Sequence, residues 1–136
     1  MLHRFSRTEM IIGREGLARL AVSKVAVFGV GGVGSFVVEA LCRAGVGNFI
    51  LVDDDCVCLT NINRQVIATD KTVGRPKVDV MKERIHDINP GAVVKTYQTF
   101  YLTGDPDGII DDDTSYIVDA IDTVTGKIGL VLEGIK

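Results

Sequence analysis

The six residues Gly29-Val30-Gly31-Gly32-Val33-Gly34 constrain this chain more than any others. They follow the apolar, β-branched run Lys24-Val25-Ala26-Val27-Phe28, which reads as a buried strand. They open a stretch in which Val33, Val37, Ala40, Leu41 and Ala44 recur at helical spacing until Gly45 and Gly47 stop it. Phe49-Ile50-Leu51-Val52 then repeats the strand signature and ends at Asp53. A strand, a glycine turn, a helix and a second strand in this order form a βαβ unit, which requires a right-handed crossover and parallel pairing. The expected fold is therefore α/β: a Rossmann-like, mostly parallel sheet with helices on both faces.

The remaining elements fit that expectation. A helical N-terminal segment, broken at Gly13 and Gly16, precedes the first strand. A second helix of the core is predicted from about Lys77 to Ile88, with Val78, Met81, Ile85 and Ile88 on one face and Lys82, Glu83, Arg84 and Asp87 outside it. Asn89-Pro90-Gly91 ends it. Ala92 to Tyr97 and Tyr116 to Ala120 read as the third and fourth strands, and Val124 to Ile135 as a further helix. With 136 residues, 46% hydrophobic and 24% charged, the chain can bury the core of one domain. That domain is taken as residues 1–136, with an arm over 1–23 and a nucleotide-binding core over 24–136.

Composition also excludes several classes. The longest apolar stretch, Lys24 to Val38, is short and interrupted by glycines, so no membrane span is expected. The opening Met1 to Arg7 lacks the apolar centre of a secretory signal, which points to a cytoplasmic protein. A net charge of −3 argues against a broad phosphate-binding face. Cys42, Cys56 and Cys58 lack the second pair of ligands a structural zinc needs and read as reduced thiols. Arg4, Arg7, Arg14, Arg19 and Lys24 make the start basic, and Asp105, Asp107, Asp111, Asp112 and Asp113 make a later loop acidic; solvated surface accounts for most of them. His3 and His86 stand singly and are assigned no role.

Gly29, Gly31, Gly32 and Gly34 can bring backbone N–H groups against a phosphate at a helix N-terminus, and Asp53 can accept hydrogen bonds from ribose hydroxyls. The pattern alone points first to a nicotinamide dinucleotide. The residues beyond Asp53 are unlike a hydride-transfer site. Arg64 offers a planar fork of donors for phosphate oxygens, and Lys77, in the first turn of a helix, offers a compact charge. Together they suit a departing pyrophosphate. Asp122, just past the fourth strand, lies where such sheets place ligands and can hold Mg²⁺ through one carboxylate.

These residues also carry a resemblance. The glycine loop, Asp53-x-Asp55, Thr60-Asn61-x-Asn63-Arg64-Gln65, Lys77 and Asp119-x-x-Asp122, in that order, resemble the adenylating domain of the HesA/MoeB/ThiF family, relatives of ubiquitin-activating enzymes. Within it, Arg4-Phe5-Ser6-Arg7, Glu83-Arg84-Ile85 and Ile88-Asn89-Pro90 are similar to the branch that dehydrates a threonylcarbamoyl group on a tRNA adenosine. The resemblance implies ATP and Mg²⁺ as cofactors. It places Gly32 and Asp53 at the nucleotide, Asn61, Arg64 and Lys77 on phosphates with Asn63 beside them, and Asp122 on the metal. Arg7 matches an arginine that reaches the ATP of a neighbouring subunit, so Arg7, Arg64 and Lys77 form the implied catalytic set and a homodimer is implied. Implied partners are tRNA or, in the alternative, a ubiquitin-like sulfur carrier or a cysteine desulfurase; an NAD-binding oxidoreductase module comes third and a catalytically dead dimerisation domain fourth. Members of that family continue past the fourth strand, so the chain is expected to be truncated after that strand and the following helix, with little activity alone.

Overall fold

The computed structural model of the chain describes residues 2–101, 105, 108–121 and 124–135, with backbone alone over 124–126. Its elements are α1 (Ser6–Val22), β1 (Lys24–Phe28), α2 (Gly32–Ala44), β2 (Asn48–Val52), a 3₁₀ turn (Leu59–Asn61), α3 (Lys77–Ile88), β3 (Val93–Tyr97), β4 (Tyr116–Asp119) and α4 (Val124–Gly134). The four strands form one sheet in the order β3-β2-β1-β4, and every pairing is parallel. The α/β expectation and the strand positions hold. The 3₁₀ turn has no periodic signal in the sequence and is an addition to the expected elements.

Strand alternation sorts the core. Val25 and Val27 of β1, with Phe49 and Leu51 of β2, point to one face, where Val38 and Cys42 of α2 meet Val78, Met81 and Ile85 of α3. Ala26 and Phe28, with Ile50 and Val52, point to the other, where they meet Tyr101, Ile109 and Leu130 of α4. Both faces of β1 and β2 are therefore covered, which is why these strands read as unbroken apolar runs rather than as alternating ones. Helices α2 and α3 are also joined by charge, because Arg84 Nε donates to both oxygens of Glu39 at 2.6 and 2.9 Å.

Helix α1 behaves differently. It contributes no buried residue, and it is kinked at Gly13, which has φ 79°. Gly16, the other expected break, stays helical. The arm lies beside Gly45, Gly47, Asn48 and Val93, at the amino ends of β2 and β3.

Several polar groups have more to do than the sequence suggested. Asp111 and Asp113 both pair with Lys24, at 3.0 and 2.8 Å, and Asp111 also meets Lys95 at 3.3 Å. Asp105 accepts hydrogen bonds from the backbone N–H groups of Ile109 and Ile110. His86 bonds the Ala92 carbonyl at 3.0 Å and so ties the turn between α3 and β3. Among the described residues, no helix is long and apolar enough to cross a membrane.

Candidate functional site

The carboxyl ends of β1, β2 and β4 converge on a cleft of about 390 Å³. Connections leave β1 toward β2 and β3 on one side, and β4 returns to its other side, so the cleft sits at the switch point where open parallel sheets receive ligands. Its lining includes Gly29, Gly31, Gly32, Asp53, Arg64 and Lys77. Residues far apart in the chain are thereby brought into one cavity.

The loop glycines divide into two kinds. Gly29 has φ 94°, and a Cβ there would run into the Ala120 carbonyl at the end of β4. A Cβ on Gly34 would strike the Gly29 carbonyl oxygen, so the start of α2 folds back over β1 only because Gly34 lacks one. These two glycines serve packing. At Gly32, by contrast, the nearest atom to an added Cβ is Arg64 Cγ at 4.0 Å, and at Gly31 it is Gln65 Nε2 at 3.5 Å. Nothing in the fold requires their bareness; it keeps cleft space open. Gly31 is also the N-cap of α2 and offers no side-chain cap, so the positive end of that helix is left to whatever enters the cleft.

Asp53 holds the loop in place. Its Oδ2 accepts the Val30 N–H at 2.7 Å and its Oδ1 the Asp55 N–H at 2.8 Å. Each oxygen keeps a second lone pair for a ligand hydroxyl. The residue expected at a ribose thus also fixes the glycine loop relative to β2.

Two cations border the same space. Arg64 Nη1 donates to the Thr60 carbonyl and to Asn63 Oδ1, both at 2.9 Å, which orients the guanidinium and leaves Nε and Nη2 without a partner among the described residues. Lys77 is 6% exposed, and its Nζ is 3.8 Å from Asp55 Oδ2, too long for a hydrogen bond. It stands in the first turn of α3, where the helix dipole opposes a positive charge. A buried, weakly paired ammonium at that end of a helix is costly for folding alone, and an anion in the cleft would offset the cost.

Other expected site residues lie elsewhere. Asn61 is buried but does not line the cleft; its Oδ1 accepts the Cys58 N–H at 2.9 Å and closes the 3₁₀ turn that carries Arg64. Asn63 is exposed and orients Arg64. Arg7 is exposed on α1 and is absent from the cleft lining. Asp122, expected on the metal, lies outside the described residues. Carboxylate oxygens of Asp53, Asp54 and Asp55 lie within 4.8 Å of one another at the cleft, a hard donor set of the kind magnesium takes, although Asp53 is already engaged by backbone. Cys42 is buried and donates to the Ile85 carbonyl; burial pushes its thiol up to about 11. The exposed Cys56 and Cys58 are free thiols.

Sequence reasoning did not assign Gln65, Thr99, Phe100 or Tyr101, all of which line the cleft. Gln65 was visible in the motif without a role. The other three come from the loop after β3, where no periodicity or motif marks a site. Tyr101 packs edge-on against Phe28 with ring centroids 4.7 Å apart. Burial first, then Asp105 and Glu133, pushes its hydroxyl up to about 12.

The ThiF family profile matches residues 5–130, a span that includes the cleft. The chain belongs to the ThiF family. Over 136 residues this ThiF-family chain is 53% identical to the tRNA threonylcarbamoyladenosine dehydratase of Bacillus subtilis strain 168, covering 100% of this chain and 54% of that protein. The Escherichia coli K12 protein of the same name is 41% identical over 128 residues, 94% of this chain and 48% of its own length. The crystal structure of the E. coli dehydratase in complex with ATP superimposes with a TM-score of 0.89 at 41% identity, covering 96% of this chain and 54% of that one. E. coli MccB with ATP is a more distant relative, with a TM-score of 0.68 at 29% identity over 74% of this chain and 31% of its own. The chain spans about half the length of the curated relatives it matches most fully.

Proposed function

We propose that this chain is the nucleotide-binding part of an enzyme that adenylates a carboxylate with ATP, and that the carboxylate is that of a threonylcarbamoyl group on a tRNA adenosine. The observation that carries the reading is the pairing of Arg64 and buried Lys77 across one cleft from the glycine loop. Two cations suit a triphosphate and have no use in hydride transfer. The substrate rests on the dehydratases at 53% and 41% identity and on the ATP complex of one of them.

In this reading the loop N–H groups and the N-terminus of α2 receive phosphate, Asp53 receives ribose, and Arg64 and Lys77 neutralise charge as pyrophosphate leaves. The substrate carboxylate oxygen attacks the α-phosphorus, and the bond to pyrophosphate breaks. The resulting acyl-adenylate closes on itself: an atom of the same substrate attacks the activated carbonyl and expels AMP. No protein nucleophile is needed, because the attacking group is already held at high effective concentration. Magnesium, through Asp122 and the carboxylates beside the loop, would add charge neutralisation at the phosphates. Residues 1–23 form the arm and 24–136 the nucleotide core, and the protein acts as a homodimer in which Arg7 serves the neighbour's ATP. The arm's position at the amino ends of the strands, away from its own cleft, supports that arrangement.

The test is ATP–pyrophosphate exchange by the complete enzyme, with threonylcarbamoyl-modified tRNA and with a peptide ending in Gly-Gly offered separately. Exchange and ATP consumption are expected with the tRNA. Stimulation by the peptide alone would assign the protein to sulfur-carrier activation, and tighter binding of NAD than of ATP would overturn adenylation altogether.

A further inference from the structure

Two side chains lining the cleft, Gln65 and Tyr101, carry a buried oxygen without a hydrogen-bond partner among the described residues, and of these Gln65 is the one that meets the glycine loop. Gln65 is 8% exposed, lines the cavity, and has an Oε1 atom that is buried without any hydrogen-bond partner among the described residues. Its backbone is held by the turn, since Gln65 N donates to the Asn61 carbonyl at 2.9 Å and the Gln65 carbonyl accepts from Ala68 N at 3.0 Å. The side chain is therefore fixed at its root. Its Nε2 lies 3.5 Å from where a Cβ on Gly31 would be, so the carboxamide meets the glycine loop at a position the loop leaves bare.

A buried carboxamide with an unmet oxygen costs stability, and buried polar groups are otherwise paired almost without exception. Gln65 does not offset that cost by joining segments of the chain: the turn is closed by Asn61 and Cys58, and Arg64 is oriented by Thr60 and Asn63. The cleft is the open side from which a donor for that oxygen can come. A carboxamide has two donors and an acceptor on one plane, which distinguishes it from the neighbouring cations. It can donate to a phosphoryl oxygen at Gly31 and accept from water carried in with that phosphate. It can do both without adding charge to a site that already holds Arg64 and Lys77.

We propose that Gln65 is a ligand-binding residue that donates from Nε2 to a phosphoryl oxygen of the nucleotide beside Gly31, and so discriminates triphosphate from the bare nucleoside. This rests on the reading of the cleft as an ATP site. Direct contact makes a specific pattern of losses, because adenosine has nothing to offer at Gly31 whereas ATP does.

The experiment measures binding of ATP, AMP and adenosine by calorimetry to the full chain and to two variants. Gln65→Glu keeps an acceptor but replaces the donor with a negative charge. Gln65→Met has similar length and no polar atom. ATP affinity is expected to fall about 10- to 100-fold in both, the range for a hydrogen bond to a charged group. Adenosine affinity is expected to stay within about twofold, a change too small to mark a lost hydrogen bond. Because Gln65→Met removes an unmet polar atom, its thermal midpoint is expected to hold or rise while ATP binding falls, a combination a merely structural role would not give. Equal losses for ATP and adenosine, a lowered midpoint in Gln65→Met, or unchanged ATP affinity in both variants would overturn the assignment. A wild-type chain that binds adenosine but gains nothing from the phosphates would overturn both Gln65 and the ATP reading, whereas wild-type preference for ATP that survives in the variants removes Gln65 alone.

Discussion

At the scale of single residues, the glycine loop separates what the fold needs from what the ligand needs. Gly34→Ala places a methyl group against the Gly29 carbonyl, so it is expected to cost about 2–3 kcal/mol or more and to lower the thermal midpoint sharply. Gly32→Ala meets only Arg64 Cγ at 4.0 Å, and alanine favours the first turn of α2, so stability is expected to hold or rise by up to about 1 kcal/mol. ATP affinity should nevertheless fall, since the new methyl group occupies cleft space. Denaturant melts and calorimetry on the two variants check the contrast; equal behaviour would show that the loop has one role. Lys77→Ala is expected to weaken ATP about 10- to 100-fold while sparing stability, because it removes a buried charge whose ion-pair partner among the described residues, Asp55, stands 3.8 Å away. Much of this site was legible in the sequence: the glycines, Asp53, Arg64 and Lys77 lie in motifs whose chemistry is local. Tyr101 and Phe100 were not, because their place in the cleft depends on how the chain leaves β3 and turns toward β4.

At the scale of elements, the strands and helices were read correctly where burial imposes a period. Helix α3 has the bounds its apolar spacing gives, and β1 has those of its β-branched run. The 3₁₀ turn escaped because its stability comes from Asn61 and Cys58 bonding each other, not from any repeating pattern. The acidic loop before β4 escaped for a similar reason. Asp111 is held below its usual 3.8 chiefly by the Lys24 hydrogen bond, and Lys24 is held above 10.5 chiefly by Asp113 and then Asp111. A carboxylate whose pKa is lower in the folded state stabilises it above the unfolded value and loses that contribution as the pH falls through the folded value. For lysine the sign reverses: its contribution is present below the unfolded value and is lost as the pH rises through the folded one. Lys24→Met is therefore expected to lower the thermal midpoint across about pH 5 to 9 and to matter progressively less as the pH falls below the 3.8 of a free aspartate. A midpoint deficit independent of pH would assign the loss to packing of the lysine stem instead.

At the scale of the whole molecule, apolar surface is concentrated on particular helices. Met10 and Ile11 of α1 are 76% and 86% exposed, and Val33 and Phe36 of α2 are 70% and 54% exposed. Surface of this kind favours association, in keeping with the proposed homodimer. In the complete enzyme, mixing Arg7→Ala subunits with Lys77→Ala subunits is expected to restore activity to about a quarter of wild type, because random pairing makes half the dimers hybrid and one of their two sites intact. Restored turnover after verified subunit exchange checks it; no recovery would place Arg7 within its own chain's chemistry or outside it.

The pairing of β1 with β4 also dictates when the site can exist. Lys24 at the start of β1 and Ser115 just before β4 are 91 residues apart, and they bond directly. At about 5–20 residues per second, a ribosome needs roughly 5–20 s to make the intervening chain. Within that interval β1 can pair with β2 once β2 has been made, and β2 in turn with β3 near its end, but the other edge of β1 is bare and Ala120 has not yet arrived beneath Gly29. The nascent chain thus carries the whole glycine loop long before it has a floor for it. On the proposed reading of the cleft, the nucleotide site is complete only after β4 has emerged, so ATP would secure the last step of folding rather than guide the early ones.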